Sequence, residues 1–248
     1  LSVLTVGDTD IGMKRKSNQD SICLYPEMLF FAVADGMGGH KGGDIASQNT
    51  VKLLPDFLKQ LQDQDPSIAL EEAIKRVNGS LLEIAAEKEE LKGMGTTISC
   101  IYYQGNQLLI GNVGDSRTYL IHKMKLFQLS RDHSLVQEKI NMGIYSRDMA
   151  KNDNQKNVLV RTVGYDENIE VDIYNYKISK NDLFLVCSDG LHGKVSDHDI
   201  LAIVNQHIPD PATATTESAK EAVKALIQAA NDNGGQDNIS VIISIAQG

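Results

Sequence analysis

Three apolar runs in this chain end at an aspartate. Phe31-Ala32-Val33-Ala34 leads into Asp35-Gly36, Leu109-Ile110-Gly111-Asn112-Val113-Gly114 into Asp115-Ser116-Arg117, and Leu183-Phe184-Leu185-Val186-Cys187-Ser188 into Asp189-Gly190. A fourth aspartate, Asp237, follows Gly234-Gly235 and stands before a closing apolar run; a fifth, Asp20, precedes the run from Ser21 to Tyr25. A carboxylate at the end of a buried strand, followed by bare backbone, can hold a hard cation. A single Asp-Gly is more often only a turn; its recurrence changes the balance. Carboxylates that converge without counter-charge repel one another, so such a cluster needs cations. Oxygen-only ligands select Mg²⁺, Mn²⁺ or Ca²⁺ over zinc or copper. Two ions bridged by one carboxylate would lower the pKa of a water and aim it in line at a phosphorus atom.

For these aspartates to meet, the runs that carry them must be strands of one sheet pair. Val3 to Val6, Ser21 to Tyr25 and Leu29 to Ala34 read as strands, with a loop from Asp8 to Asp20 that holds Arg15, Asn18 and Asp20. Asp44 to Gln62 reads as a helix whose Leu54, Phe57, Leu58 and Leu61 share one face, and Pro55 should kink or split it. Asp65-Pro66 opens a second helix that runs to about Leu91, with Asn78-Gly79 as a weak point. Thr96 to Tyr103 and Gln107 to Val113 flank the hairpin signal Gly105-Asn106. Arg117 to His122, Leu126 to Leu129, Val158 to Val163, Ile169 to Ile178, Asp182 to Cys187 and Asn238 to Ala246 read as further strands. Ser134 to Met142, Ser196 to Asn205 and Thr216 to Asn231 read as helices. Residues 143–157 are polar and aperiodic, the pattern of a functional flap or a plain surface insert. Strands come in runs and helices in pairs. The expected fold is therefore α+β: a central antiparallel β-sandwich flanked by helices on both sides, four layers αββα, rather than a βαβ wind.

The 248 residues, 42% hydrophobic, suit one compact domain spanning 1–248. Cys23, Cys100 and Cys187 sit inside strand-like runs without a CxxC pair, which reads as reduced core cysteines of a cytoplasmic protein. The net charge of −9 argues against a nucleic-acid binder, and no apolar run approaches the roughly 20 residues of a membrane span.

The motifs together resemble the metal-dependent serine/threonine protein phosphatases of the PP2C class, bacterial branch. The resemblance rests on Arg15-x-x-Asn18-Gln19-Asp20, Val33-Ala34-Asp35-Gly36-Met37-Gly38-Gly39, Gly95-Thr96-Thr97 and Gly111-Asn112-Val113-Gly114-Asp115-Ser116-Arg117. It continues through Asp132-His133-Ser134-Leu135-Val136, Arg161-Thr162-Val163-Gly164, Ser188-Asp189-Gly190-Leu191 and Asp237-Asn238-Ile239-Ser240. Each piece alone is weak; eight in order cover nearly the whole chain. The resemblance implies hydrolysis of phosphoserine and phosphothreonine in proteins by a metal-activated water at a binuclear Mn²⁺ or Mg²⁺ centre. Asp35 would bridge the two ions, with the Gly36 carbonyl on the second. Asp189 and Asp237 would complete the first, and Asp20 would order water there. Asp115 and Asp189 would hold a third, looser ion. Arg15 would bind the substrate phosphate through its planar fork, and 143–157 would be the flap beside the site. The implied partners are phosphorylated proteins and members of a Ser/Thr kinase signalling pathway, for a monomeric enzyme with no nucleic-acid or membrane partner.

Two departures stand out. Gln19 replaces the Glu of many relatives, and Met37 replaces a His that is a candidate general acid in eukaryotic ones. The leaving group must then be protonated by metal-bound water, with His40 as a weaker alternative. His133 reads as a structural loop residue, and Ser116 and Ser188 as neighbours of ligands rather than nucleophiles. Two other readings stay open. One is a regulatory module that keeps the fold without turnover, which the presence of every core aspartate disfavours. The other is phosphoester hydrolysis on small molecules or phosphotyrosine.

Overall fold

The computed structural model describes residues 2–38 and 42–248; His40 and Gly39 therefore lie outside the described residues. In chain order the elements are β1 (Ser2–Asp10), β2 (Asp20–Tyr25), β3 (Phe30–Met37), α1 (Gly43–Gln60), α2 (Pro66–Glu87), β4 (Gly95–Thr96), β5 (Ile98–Gln104), β6 (Gln107–Val113), β7 (Arg117–His122) and β8 (Lys125–Gln128). There follow α3 (Leu135–Asn141), α4 (Arg147–Lys151), β9 (Asp172–Lys177), β10 (Leu183–Cys187), α5 (Asp189–His192), α6 (Asp197–His207), α7 (Thr216–Asp232) and β11 (Ile239–Gln247). One antiparallel sheet has the order β1-β11-β10-β7-β8, the other β2-β3-β5-β6-β9 with β4 paired to β3.

The central strands are buried on both faces, which is why they read as continuous apolar runs instead of alternating ones. Phe30, Ala32 and Ala34 of β3 face the helices α1 and α2, while Phe31 and Val33 face the opposite sheet. Leu183, Leu185 and Cys187 of β10 face α6 and α7, while Phe184 and Val186 enter the layer between the sheets. Period-2 side-chain alternation thus builds three apolar layers between four structural ones, and the expected αββα sandwich is the fold. The three cysteines are free and buried within it.

Several local expectations shift. Pro55 does not end α1, which runs on as one helix; its ring is buried with Leu54 and Leu58, and that packing outweighs the helical bond that Val51 forgoes. Val158 to Val163 is not a strand. Its backbone is stitched singly instead, Leu135 N–H to Val158 O at 2.8 Å, Val160 N–H to His133 O at 3.0 Å, and Thr96 with Val163 as an isolated bridge. Residues 143–157 contain the short helix α4, capped by Ser146, and Asp153 braces it by accepting from Tyr145 Oη at 2.6 Å and Lys139 Nζ at 3.2 Å. Asp35 lies within β3 rather than past its end, directly opposite Asp20 in the register of β2 and β3.

Candidate active site

All the aspartates singled out by the sequence gather at one end of the sandwich. Asp20 opens β2 and Asp35 lies near the end of β3, both of one sheet, while Asp115 lies in the crossover from β6 of that sheet to β7 of the other. Asp189 follows β10 and Asp237 precedes β11, both of the other sheet. Arg15, Asp35, Gly36, Asp115, Asp189 and Asp237 line one cavity of about 790 Å³. Asp20 stands just behind that wall, where its Oδ2 accepts from Ser188 Oγ at 2.7 Å and Ser240 Oγ at 2.6 Å.

Short contacts fix the strand ends that carry these groups. Thr97 holds two of them: it receives the Asp35 N–H on its hydroxyl at 3.0 Å, returns its own N–H to Asp35 O at 2.9 Å, and shares a 2.7 Å hydroxyl contact with Ser116. Gly36 has to be glycine, because a Cβ there would lie 1.8 Å from the Gly43 carbonyl at the start of α1. Gly190 is equally tight, with a Cβ falling 1.9 Å from the Asn238 carbonyl, so the backbones beside Asp189 and Asp237 touch. Asn238 in turn fastens the Arg15 loop: its amide donates to Ile11 O at 2.9 Å and Ser17 O at 3.0 Å, and its Oδ1 accepts the Gln19 N–H at 2.9 Å.

The electrostatics are those of crowded anions. Burial, opposed by the serine hydrogen bonds and aided by Asp189 and Asp237, pushes Asp20 up to about 7. Burial and then the charges of Asp20, Asp189 and Asp115 push Asp35 far above the usual carboxylate range; burial and Asp189 do the same to Asp115. Asp189 is raised by burial and Asp237, and lies within hydrogen-bonding reach of Asp35. Oδ1 of Asp20 and Oδ1 of Asp189 are fully buried without a hydrogen-bond partner. A buried, orphaned carboxylate oxygen is expensive unless a cation faces it, and every donor here is oxygen, so the site fits Mg²⁺ or Mn²⁺. No three His, Cys, Asp or Glu side chains among the described residues form a closed ligand set for one ion. Arg15 Nη2 meets Asp237 Oδ2 at 2.8 Å across the mouth of the cavity, in a largely exposed pair.

A family model described as Protein phosphatase 2C matches residues 6–239. The chain belongs to the protein phosphatase 2C family. It is 36% identical over 242 residues to a serine/threonine phosphatase stp of Listeria welshimeri, covering 95% of this chain and 92% of that one. Among solved structures, the Mycobacterium tuberculosis serine/threonine phosphatase PstP/Ppp superposes with a TM-score of 0.85 at 30% identity, covering 100% of both chains. The catalytic domain of PstP in complex with two manganese ions superposes with a TM-score of 0.81 at 27% identity, covering 99% of each.

The sequence motifs included several residues of this phosphatase 2C site without showing what they touch. Ser240 and Ser188 are hydroxyl donors under Asp20, set apart in the chain by 52 residues and joined only by folding. Ser188 and Ser116 are thereby committed to Asp20 and Thr97, and neither is poised as a nucleophile. His192 donates Nε2–H to the Asp115 carbonyl at 2.8 Å, and burial followed by the Arg117 charge lowers it to about 3, so it stays uncharged. Met37 pairs with Gly95 and its sulfur accepts the Thr162 hydroxyl at 3.8 Å.

Proposed function

We propose that this protein is a metal-dependent serine/threonine protein phosphatase whose centre holds two Mn²⁺ or Mg²⁺ ions, with a looser third. One observation carries the reading: aspartates from both sheets converge under Arg15, and two of their buried oxygens have no partner. Asp35, with the Gly36 carbonyl beside it, would hold both ions, Asp189 and Asp237 would complete one, and Asp115 with Asp189 would take the third. When bound, the ions supply the positive charge that offsets the phosphoryl oxygens and lowers the pKa of the attacking water.

The chain's own groups do the rest. Arg15 exchanges Asp237 for two oxygens of the phosphate and orients it over the aspartates. Asp20, fixed by Ser188 and Ser240, keeps one free oxygen to order water behind Asp35. Neither Met37 nor the buried, uncharged His192 can protonate the leaving alkoxide; the reading takes that proton from water in the cavity, with His40, outside the described residues, as the weaker alternative. Residues 143–157 form the flap of a single phosphatase domain, and Asn157 already borders the cavity.

Beyond the reaction, the reading extends to a cytoplasmic monomer that reverses a Ser/Thr kinase signalling pathway, without nucleic-acid or membrane partners. The net charge of −9 supports the exclusion of nucleic acid, and among the described residues no helix is long and apolar enough to cross a membrane. The test is release of phosphate from phosphoserine and phosphothreonine peptides in EDTA and with Mn²⁺. Turnover should need Mn²⁺ and vanish in Asp35→Asn with the fold retained. An active Asp35→Asn protein, or turnover in EDTA, would remove the mechanism.

A further inference from the structure

We infer that Asp132 and His133 are positioning residues that clamp both flanks of Asp115, and that His133 ties this clamp to the returning limb of the flap. The inference rests on the phosphatase reading for the role of Asp115. On one flank, the His133 N–H donates to Gly114 O at 2.8 Å and the Gly114 N–H donates to His133 Nδ1 at 3.1 Å. On the other, the Arg117 fork grips Asp132, Nε to Oδ1 at 2.8 Å and Nη2 to Oδ2 at 2.6 Å. Asp132 and His133 are buried, at 7% and 3% exposure, so these bonds are shielded from competing water. Gly114 has φ +103 and a Cβ there would lie 2.6 Å from the Thr97 Cγ2. Asp115 thus leaves β6 on an unusual backbone outside the strand ladder; the Asp132-His133 dipeptide supports it on both flanks, beside the Asn112 amide on Gly114 O at 3.3 Å and His192 Nε2 on Asp115 O at 2.8 Å.

The far side of His133 holds the flap. Its Nε2 donates to Asp172 Oδ2 at 2.8 Å, a carboxylate that also receives Arg161 Nη1 at 3.0 Å and Tyr174 Oη at 2.9 Å. Burial alone would raise Asp172, but the bonds from His133 and Tyr174 with the Arg161 charge bring it below the ordinary value. The His133 carbonyl accepts the Val160 N–H at 3.0 Å. Both ring nitrogens and both backbone groups of His133 are therefore engaged: Nδ1 and the N–H toward Gly114 beside Asp115, the carbonyl toward Val160, and Nε2 toward Asp172 of β9, which in turn holds Arg161. Because Nδ1 accepts and Nε2 donates, a single tautomer makes both connections.

Two isosteres separate the functions. His133→Asn keeps an acceptor at the Nδ1 position and loses Asp172; His133→Gln keeps a donor at the Nε2 position and loses Gly114. The readouts are the Mn²⁺ concentration for half-maximal hydrolysis of p-nitrophenyl phosphate, Mn²⁺ binding by calorimetry, and hydrogen exchange over residues 143–161. His133→Gln should raise the Mn²⁺ requirement of the weakest site about five-fold, the effect of one hydrogen bond of about 1 kcal/mol, with flap exchange as in the wild type. His133→Asn should accelerate exchange at 158–161 about five-fold with the Mn²⁺ requirement as in the wild type. Arg161→Gln, at a half-exposed position, should follow His133→Asn, and decides the flap arm if a change at buried His133 unfolds the chain. The inference is overturned if the two His133 variants move both readouts together, or move neither. A wild type without Mn²⁺-dependent turnover would instead defeat the phosphatase reading, leaving calorimetry and exchange to judge the clamp.

Discussion

Asp20→Asn measures what the charged cluster takes from stability when its cations are chelated. Burial is the main reason Asp20 sits at about 7 instead of 3.8, against the pull of Ser240 and Ser188. That difference corresponds to about 4 kcal/mol between the two protonation states. The native protein holds this proton more tightly than the unfolded chain. The stabilising contribution is therefore complete below 3.8 and is lost as pH rises through about 7. Asparagine stays neutral throughout; its oxygen can take both serine hydroxyls, and its amide occupies the place of the orphaned oxygen. In EDTA, Asp20→Asn should be more stable than the wild type by up to about 4 kcal/mol near pH 8 and by about 2 kcal/mol near pH 5. His192, lowered to about 3 by burial, gives the opposite slope up to 6.5, but it is common to both proteins and cancels in the difference. The assay is urea unfolding of both proteins in EDTA at the two pH values. Mn²⁺ should then stabilise the wild type more than the variant, because only the native wild-type site binds it fully. A variant no more stable than wild type near pH 8, or a gap that does not widen from pH 5 to 8, would refute the reasoning.

Arg15→Ala should raise KM for a phosphopeptide more than it lowers kcat, since the role proposed for the exposed guanidinium is to meet the ground-state phosphate; steady-state kinetics against the wild type read this directly. Asn78→Leu should lower stability by about 2–4 kcal/mol in chemical unfolding, because the buried amide accepts the Gly164 N–H at 2.6 Å and donates to Asp166 O at 2.8 Å. Gly190→Ala should cost about 3 kcal/mol in the same assay and depress Mn²⁺ affinity by calorimetry, since its Cβ would sit 1.9 Å from the Asn238 carbonyl and push Asp189 and Asp237 apart.

The outer logic of the fold was legible because its signals are local. Helix starts were marked by side chains that do cap: Asp65 accepts the Ser67 and Ile68 N–H groups, and Ser196 that of Asp199. The aspartates stood out because strands buried on both faces leave uninterrupted apolar runs, against which a terminal carboxylate is conspicuous. Local signals failed where a distant partner decides. Asn78, expected as a weak point of α2, is a buried anchor for the loop at 164–167, a role assigned by residues more than 80 positions away. Val158 to Val163 has the β-branched composition of a strand, yet its neighbours offer single bonds to a loop and not a ladder. The serines beneath Asp20 are ordinary small residues until the two sheets meet.

The meeting of the two sheets has a mechanical corollary. Asp20 and Asp35 travel with one sheet, Asp189 and Asp237 with the other, Asp115 sits on the crossover between them, and the spacer between the sheets is the aromatic layer of Phe31, Tyr103 and Phe184. Resizing a side chain in that layer would therefore act like turning a caliper screw, resetting the gap between the jaws proposed to grip the ions while leaving each jaw intact.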